Sequence, residues 1–275
     1  MTTLLLIILF TALGGILSVL AAGVFLLLPE KQRQSILPHG ISFATGALLT
    51  GAFCSLIPHA FEKVAIDEMP SLSATILIGI LVFFVLEKLL VWRHCHSHSC
   101  AAHGEDSHEH QHHNHAAHAD QNRRVAGMFI ILGDSIHNFV DGVLIGAAFL
   151  TDPQLGMVTS LAVAAHEIPQ EVGDFAILLH SGYTRGKALF YNILASLTTV
   201  IGGVLAYFSL GDLHGVLPYF LAMAASSFIY IAVADLIPSL HEKTDIKTSL
   251  QQIGFILAGV MLILLMQTIA HRFEG

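Results

Sequence analysis

Residues 44–63 read ATGALLTGAFCSLIPHAFEK, and residues 224–243 read AASSFIYIAVADLIPSLHEK. Seven of the twenty aligned positions match, among them Leu56-Ile57-Pro58 with Leu236-Ile237-Pro238 and Glu62-Lys63 with Glu242-Lys243. The preceding segments echo each other more weakly, as LGGILSVLA at 13–21 and IGGVLAYFS at 201–209. Apolar segments resemble one another by composition, but a shared proline followed by Glu-Lys is not compositional. The chain therefore reads as an internal repeat.

The repeat lies in a chain made for lipid. Of its 275 residues, 54% are hydrophobic and only 12% are charged, with a mean hydropathy of +0.71. Soluble domains carry about 25% charged residues, so this chain cannot cover a globular surface, and it is too apolar for a disordered one. Segments long enough to cross about 30 Å of hydrocarbon recur eight times. They fall at 4–28, 40–60, 71–91, 126–150, 156–179, 188–209, 217–238 and 250–270. The first has no basic residue ahead of it and ends in a charged turn, Glu30-Lys31, so it reads as a span rather than a signal peptide.

Positive charge orients the spans. Lys31, Arg33, Lys88, Arg93, Arg123, Arg124, Arg185, Lys187, Lys243 and Lys247 fall on one side, and Lys63 and Arg272 on the other. That bias puts both termini outside and the connection after span three in the cytoplasm. Span two then runs outward and span seven inward. The repeat is inverted, as in many secondary transporters. Twelve Lys and Arg without a basic patch exclude a nucleic-acid partner, and three cysteines give no disulfide framework.

Ionisable residues concentrate in spans four and five, outside the repeat. Span four holds Asp134, His137, Asn138 and Asp141; span five holds His166, Glu167, Gln170, Glu171, Asp174 and His180. Such groups inside a membrane mark an ion path or a polar network. His137 and Asp141, four apart, share a helical face, as do His166 and Gln170, while Glu167, Glu171 and Asp174 line a neighbouring face. Imidazole together with carboxylate suits Zn²⁺, Fe²⁺ and other late first-row divalent ions. Pro169 interrupts this stretch and frees a backbone carbonyl, which serves an ion or bends the helix. His59, near the outer end of span two, is an entrance candidate; Asp235, near the inner end of span seven, and His180 are exit candidates.

The connection after span three carries ten histidines in 25 residues: His94, His96, His98, His103, His108, His110, His112, His113, His115 and His118. A tract of this composition binds metal without a folded core. It is expected to form a cytoplasmic loop over 92–124 within a single transport domain spanning 1–275.

His137-Asn138-Phe139-Val140-Asp141-Gly142 resembles the HNxxDG signature of the ZIP family of metal transporters. His166-Glu167-Ile168-Pro169-Gln170-Glu171-Val172-Gly173-Asp174 resembles the HExPHExGD signature of its LIV-1 branch. The resemblance covers essentially the whole chain. It implies an all-α polytopic fold of eight transmembrane helices in a 3+2+3 arrangement, with helices 1–3 and 6–8 as the inverted repeat. It implies import of a divalent metal, zinc first, with iron, manganese and cadmium as relatives in coordination chemistry, and it is compatible with a homodimer. It also implies a two-metal centre. One site would draw on His137, Asp141, His166 and the position of Gln170, the other on Asn138, Glu167 and Glu171, with Asp134 and Asp174 along the path. Gln170 departs from the signature, where a second histidine stands. A neutral amide oxygen there favours harder ions such as Fe²⁺ or Mn²⁺. The sixth span, Leu197 to Gly202, lacks the carboxylate some members place at the second site, and Asn192 is its polar candidate.

Three rival readings remain, and two of them have sequence arguments against them. A cation efflux carrier pairs a six-helix bundle with a soluble C-terminal domain, whereas span eight here ends near residue 270. An intramembrane metalloprotease needs a histidine where Gln170 stands. A metal sensor would bind ions without passing them. The compact chain without a cleavable signal points to a bacterial inner membrane.

Overall fold

The computed structural model describes residues 2–95, 115–213, 215–241 and 245–272. The described residues are helical almost throughout. There are eight helices: α1 Thr2–Phe25, α2 Glu30–Glu62, α3 Met69–Cys95, α4 His115–Thr151, α5 Pro153–His180, α6 Arg185–Leu210, α7 Leu217–Leu240 and α8 Ile246–Arg272. Seven of them are long and apolar enough to cross a membrane. The remaining helix, α5, has the length but carries His166, Glu167, Gln170, Glu171 and Asp174. Its polarity belongs to the interior of the bundle. The chain is a multi-pass integral membrane protein. Helix α2 begins at Glu30 rather than near residue 40 and runs through Pro38, because its exposed first turns leave water to satisfy the carbonyl that proline cannot.

Helices α1, α4, α5 and α6 pack on one another. The pairs α2–α8 and α3–α7 form the remaining flank, joined to the first group through α2–α5 and α4–α7. The inverted repeat is visible at atomic detail. Both α2 and α7 widen into one π-helical turn, over Gly51–Leu56 and Ile231–Leu236, at equivalent positions of the repeat. The Ile57 and Ile237 amides bond carbonyls five residues back, on Ala52 and Ala232. Each wide turn ends two residues before a proline, Pro58 or Pro238, whose ring and missing N–H disrupt the regular ladder.

Close crossings repeat as well. A Cβ on Gly46 of α2 would collide with the Ile256 carbonyl of α8, and one on Gly259 with the Phe43 carbonyl. The equivalents of Gly46, Ile256 and Gly259 are Ser226, Ile76 and Gly79. There the Ser226 hydroxyl donates to the Ile76 carbonyl at 2.9 Å, and a Cβ on Gly79 would lie 2.6 Å from the Ser226 Cβ. The crossing of α1 and α6 has Gly15 against Ser196 and Thr199, and Gly203 against Ile7 and Thr11. Small residues let helices approach in lipid, where apolar burial gives no net drive. Helices 1–3 and 6–8 are thus a structural inverted repeat around α4 and α5.

Helices α4 and α5 are joined by Asp152 alone, whose Oδ1 accepts from the Gln154 and Leu155 amides at 2.8 and 3.0 Å and caps α5. So short a link makes an antiparallel hairpin and aligns their polar centres. Gly46→Leu is expected to destabilise the folded protein by on the order of 2–3 kcal/mol through overpacking. Gly254→Ala, with open space around its Cβ position, is expected to leave stability unchanged or slightly raised. Thermal midpoints in detergent, read by size-exclusion chromatography, check both.

Candidate metal centre

His137 and Asp141 project from α4, and His166 and Glu167 from α5, into one knot at mid-helix. One ligand atom from each lies within 4.8 Å of all the others. His137 Nε2 is 3.3 Å from His166 Nε2, 3.5 Å from Glu167 Oε1 and 3.6 Å from Asp141 Oδ2. His166 Nε2 is 3.3 Å from Asp141 Oδ2 and 3.8 Å from Glu167 Oε1. A tetrahedron of ligands at the usual Zn–N and Zn–O lengths of about 2.0–2.1 Å has edges of about 3.3–3.4 Å. The cluster has nearly the dimensions of such a shell.

Its chemistry agrees with its size. Asp141 and Glu167 are buried, and none of their four carboxylate oxygens has a hydrogen-bond partner. Buried carboxylates left so are costly unless a cation compensates them. His166 Nδ1 faces the Ala162 carbonyl at 3.3 Å. With the proton on that nitrogen, Nε2 turns its lone pair into the knot, the usual way a protein fixes a ligating imidazole. Phe228 of α7, fully buried, stands edge-on to the His166 ring with centroids 6.4 Å apart.

A cavity of about 500 Å³ opens beside His137 and His166. Its α4 wall runs from Phe129 to Val140, its α5 wall from His166 to Asp174, and its α7 wall from Tyr230 to Ser239. It therefore extends from the knot toward the end of the bundle where α3 leads into α4. On the opposite side, Leu48, Phe149, Leu155, Val158, Ala162 and Phe228 pack into the main apolar core. Metal-seeking groups beside this cavity make a binding site that is open toward that end.

The sequence of residues 1–267 matches the model of the ZIP zinc transporter family. The chain belongs to the ZIP family. Among its relatives, zinc transporter ZIP13 of Pongo abelii is 30% identical over 241 residues, covering 82% of this chain and 65% of that protein. Human zinc transporter ZIP13 is 29% identical over 260 residues, covering 82% and 69%. Human zinc transporter ZIP4 is 41% identical over 122 residues, covering 44% and 19%. This ZIP chain thus spans about two thirds of the length of the ZIP13 proteins. The family is one of transporters, not enzymes, so the protease reading falls.

The expected site residues divide in this ZIP fold. Glu167, assigned by resemblance to a second site, brings a carboxylate oxygen within 4.8 Å of the His137, Asp141 and His166 ligand atoms. Neighbours on a helix point about 100° apart, and α4 crosses α5 where both side chains at 166 and 167 reach it. Gln170 lines the cavity together with His137 and His166, as do Asp134, Asp174 and Asp235. Glu171 is fully buried, beside Asn192 of α6. Asn138 is also fully buried and bonds to Asp134 and Thr199. His59 faces the Ser55 carbonyl and lines a small pocket with Gln154 and Gln267 at the other end of the bundle. His180 faces the Ala176 carbonyl near the end of α5. Residues 96–114 lie outside the described residues, as do the side chains of His94, His115 and His118.

Two residues carry no signal in the sequence. Glu87 of α3 lines the cavity and accepts a hydrogen bond from the Tyr230 hydroxyl of α7. The Thr199 hydroxyl of α6 donates to Asn138 Oδ1 at 2.7 Å. Asp141→Asn keeps the shape and removes the charge, and is expected to weaken zinc binding about a hundred-fold, measured by calorimetric titration of the detergent-solubilised protein.

Proposed function

We propose that this protein carries a divalent metal ion, zinc foremost, across a membrane and into the cytoplasm through the His137–Asp141–His166–Glu167 knot. The single observation that carries this reading is the placement of the knot: four metal-seeking side chains, mid-bundle, at the foot of a cavity open toward one end. The charge bias of the connections makes that end cytoplasmic. An ion entering from outside sheds water and exchanges it for two imidazoles and two carboxylates. Passage requires the apolar seal around Phe149, Val158 and Phe228 to open while the cavity closes. The inverted repeat supports such alternation, since it offers the same helix pairs in mirrored arrangement about α4 and α5.

Gln170, on the cavity wall one turn from His166, is in this reading a selectivity element. It offers a departing ion a neutral oxygen instead of an imidazole, which favours Fe²⁺ and Mn²⁺ relative to Zn²⁺. In this reading the membrane is a bacterial inner membrane, with both termini outside as the charge bias sets them. The histidine tract would then meet the ion on the cytoplasmic side as a buffer.

Purified full-length protein in sealed liposomes is expected to take up Zn²⁺ saturably, with Fe²⁺, Mn²⁺ and Cd²⁺ compared beside it. His137→Ala should reduce flux to the background of empty vesicles. Gln170→His should move the ion order toward zinc. Folded, inserted protein that passes none of the four ions would sink the transporter reading and leave a metal sensor.

A further inference from the structure

The inverted repeat gives the two mouths of the bundle corresponding residues. The register that pairs Ile256 of α8 with Ile76 of α3 also pairs Gln267 with Glu87, and Ser55 of α2 with Asp235 of α7. At the mouth beside His59, Gln267 Nε2 donates to the Cys54 carbonyl at 2.9 Å and to the Ser55 hydroxyl, so α8 is bonded directly to the wide turn of α2. The cavity mouth has acids at both corresponding positions. Glu87 and Asp235 line the cavity and are near enough for their charges to interact. Ionised carboxylates only accept hydrogen bonds, so these two cannot bond to each other as the amide and hydroxyl do.

Tyr230 supplies the missing donor. It is the last residue before the wide turn of α7, and its hydroxyl donates to Glu87 Oε2. Thr50, at the corresponding place on α2, bonds back within its own helix, to the Gly46 carbonyl at 2.8 Å. The tyrosine bond is not what joins the two helices. The Ser226 hydroxyl donates to the Ile76 carbonyl at 2.9 Å, and the Ser71 and Tyr219 hydroxyls lie 3.1 Å apart, so α3 and α7 are fastened at two other levels. The bond at the cavity wall serves the carboxylate instead. It keeps Glu87 at the wall against the repulsion of Asp235.

We propose that Tyr230 is a positioning residue for ion release: it fixes Glu87 beside Asp235 on the cavity wall, where an ion leaving the knot exchanges one pair of carboxylates for another. Tyr230 touches no ion. Without its hydroxyl, Glu87 swings away from Asp235, and the ion loses a two-point hold on its way to the cytoplasm. The inference rests on the transport reading, and its test separates the two.

Tyr230→Phe removes the hydroxyl and keeps the ring. In zinc uptake by sealed liposomes it is expected to lower maximal flux about ten-fold. The calorimetric zinc affinity of the knot should remain that of the wild type, since its four ligands are untouched. The thermal midpoint in detergent should also hold, since two other bonds fasten α3 to α7. Glu87→Ala should lower flux at least as far, and adding Tyr230→Phe to it should cost nothing further, because the group that Tyr230 positions is gone. A wild type without flux overturns the transport reading and this one with it. With an active wild type, unreduced flux in Tyr230→Phe or in Glu87→Ala overturns this inference alone. So does a Tyr230→Phe protein whose lost flux comes with a lowered thermal midpoint or an equal loss of knot affinity, or a further loss when Tyr230→Phe is added to Glu87→Ala.

Discussion

Two carboxylates, Asp141 and Glu167, lie deep in a helical bundle with no hydrogen-bond donor on any oxygen. In lipid-embedded protein that arrangement is affordable only with a cation close by or an aqueous approach. His137 and His166 stand within 4 Å of them and can share such a cation with them. The rest of the architecture is arranged around this constraint. The Asp152 hairpin sets α4 and α5 at matched depth, and apolar helices surround them so that the polar centre never meets hydrocarbon.

Close packing of that surround depends on small residues, not on bulky apolar ones. Gly46 and Gly259 join α2 to α8, while Ser226 and Gly79 join α7 to α3 at equivalent positions. Gly142 and Gly202 bring α4 and α6 into backbone contact. Where apolar burial gives no preference between a neighbouring helix and a lipid chain, shape and interhelical hydrogen bonds decide the pairing. The same backbone contact places the Thr199 hydroxyl against Asn138 Oδ1.

The two π turns carry the symmetry into the moving parts of the proposed cycle. They lie on α2 and α7, at the boundary between the two helix groups, and the α7 turn presents Asp235 to the cavity while the α2 turn presents Ser55 to the opposite end. A wide turn has fewer intrahelical constraints than regular helix and occurs often where helices do work. The repeat therefore placed equivalent backbone irregularities at both mouths and gave them different side chains.

The sequence by itself determined the number of spans, their inverted repeat and the concentration of ligands on two of them. Each of these is written in local chemistry: runs of apolar residues, a shared Leu-Ile-Pro, and His and Asp at helical spacing. Even α5, too polar to register as a span by hydropathy, was legible because its length and flanks fit the pattern. What only the tertiary structure decided was which side chains meet. Glu167 joins the knot, Glu87 reaches Tyr230, and Thr199 ties Asn138. These contacts depend on the rotation and depth of one helix against another. Those are set by glycine crossings between segments far apart in the chain, and no periodicity within a single segment records them.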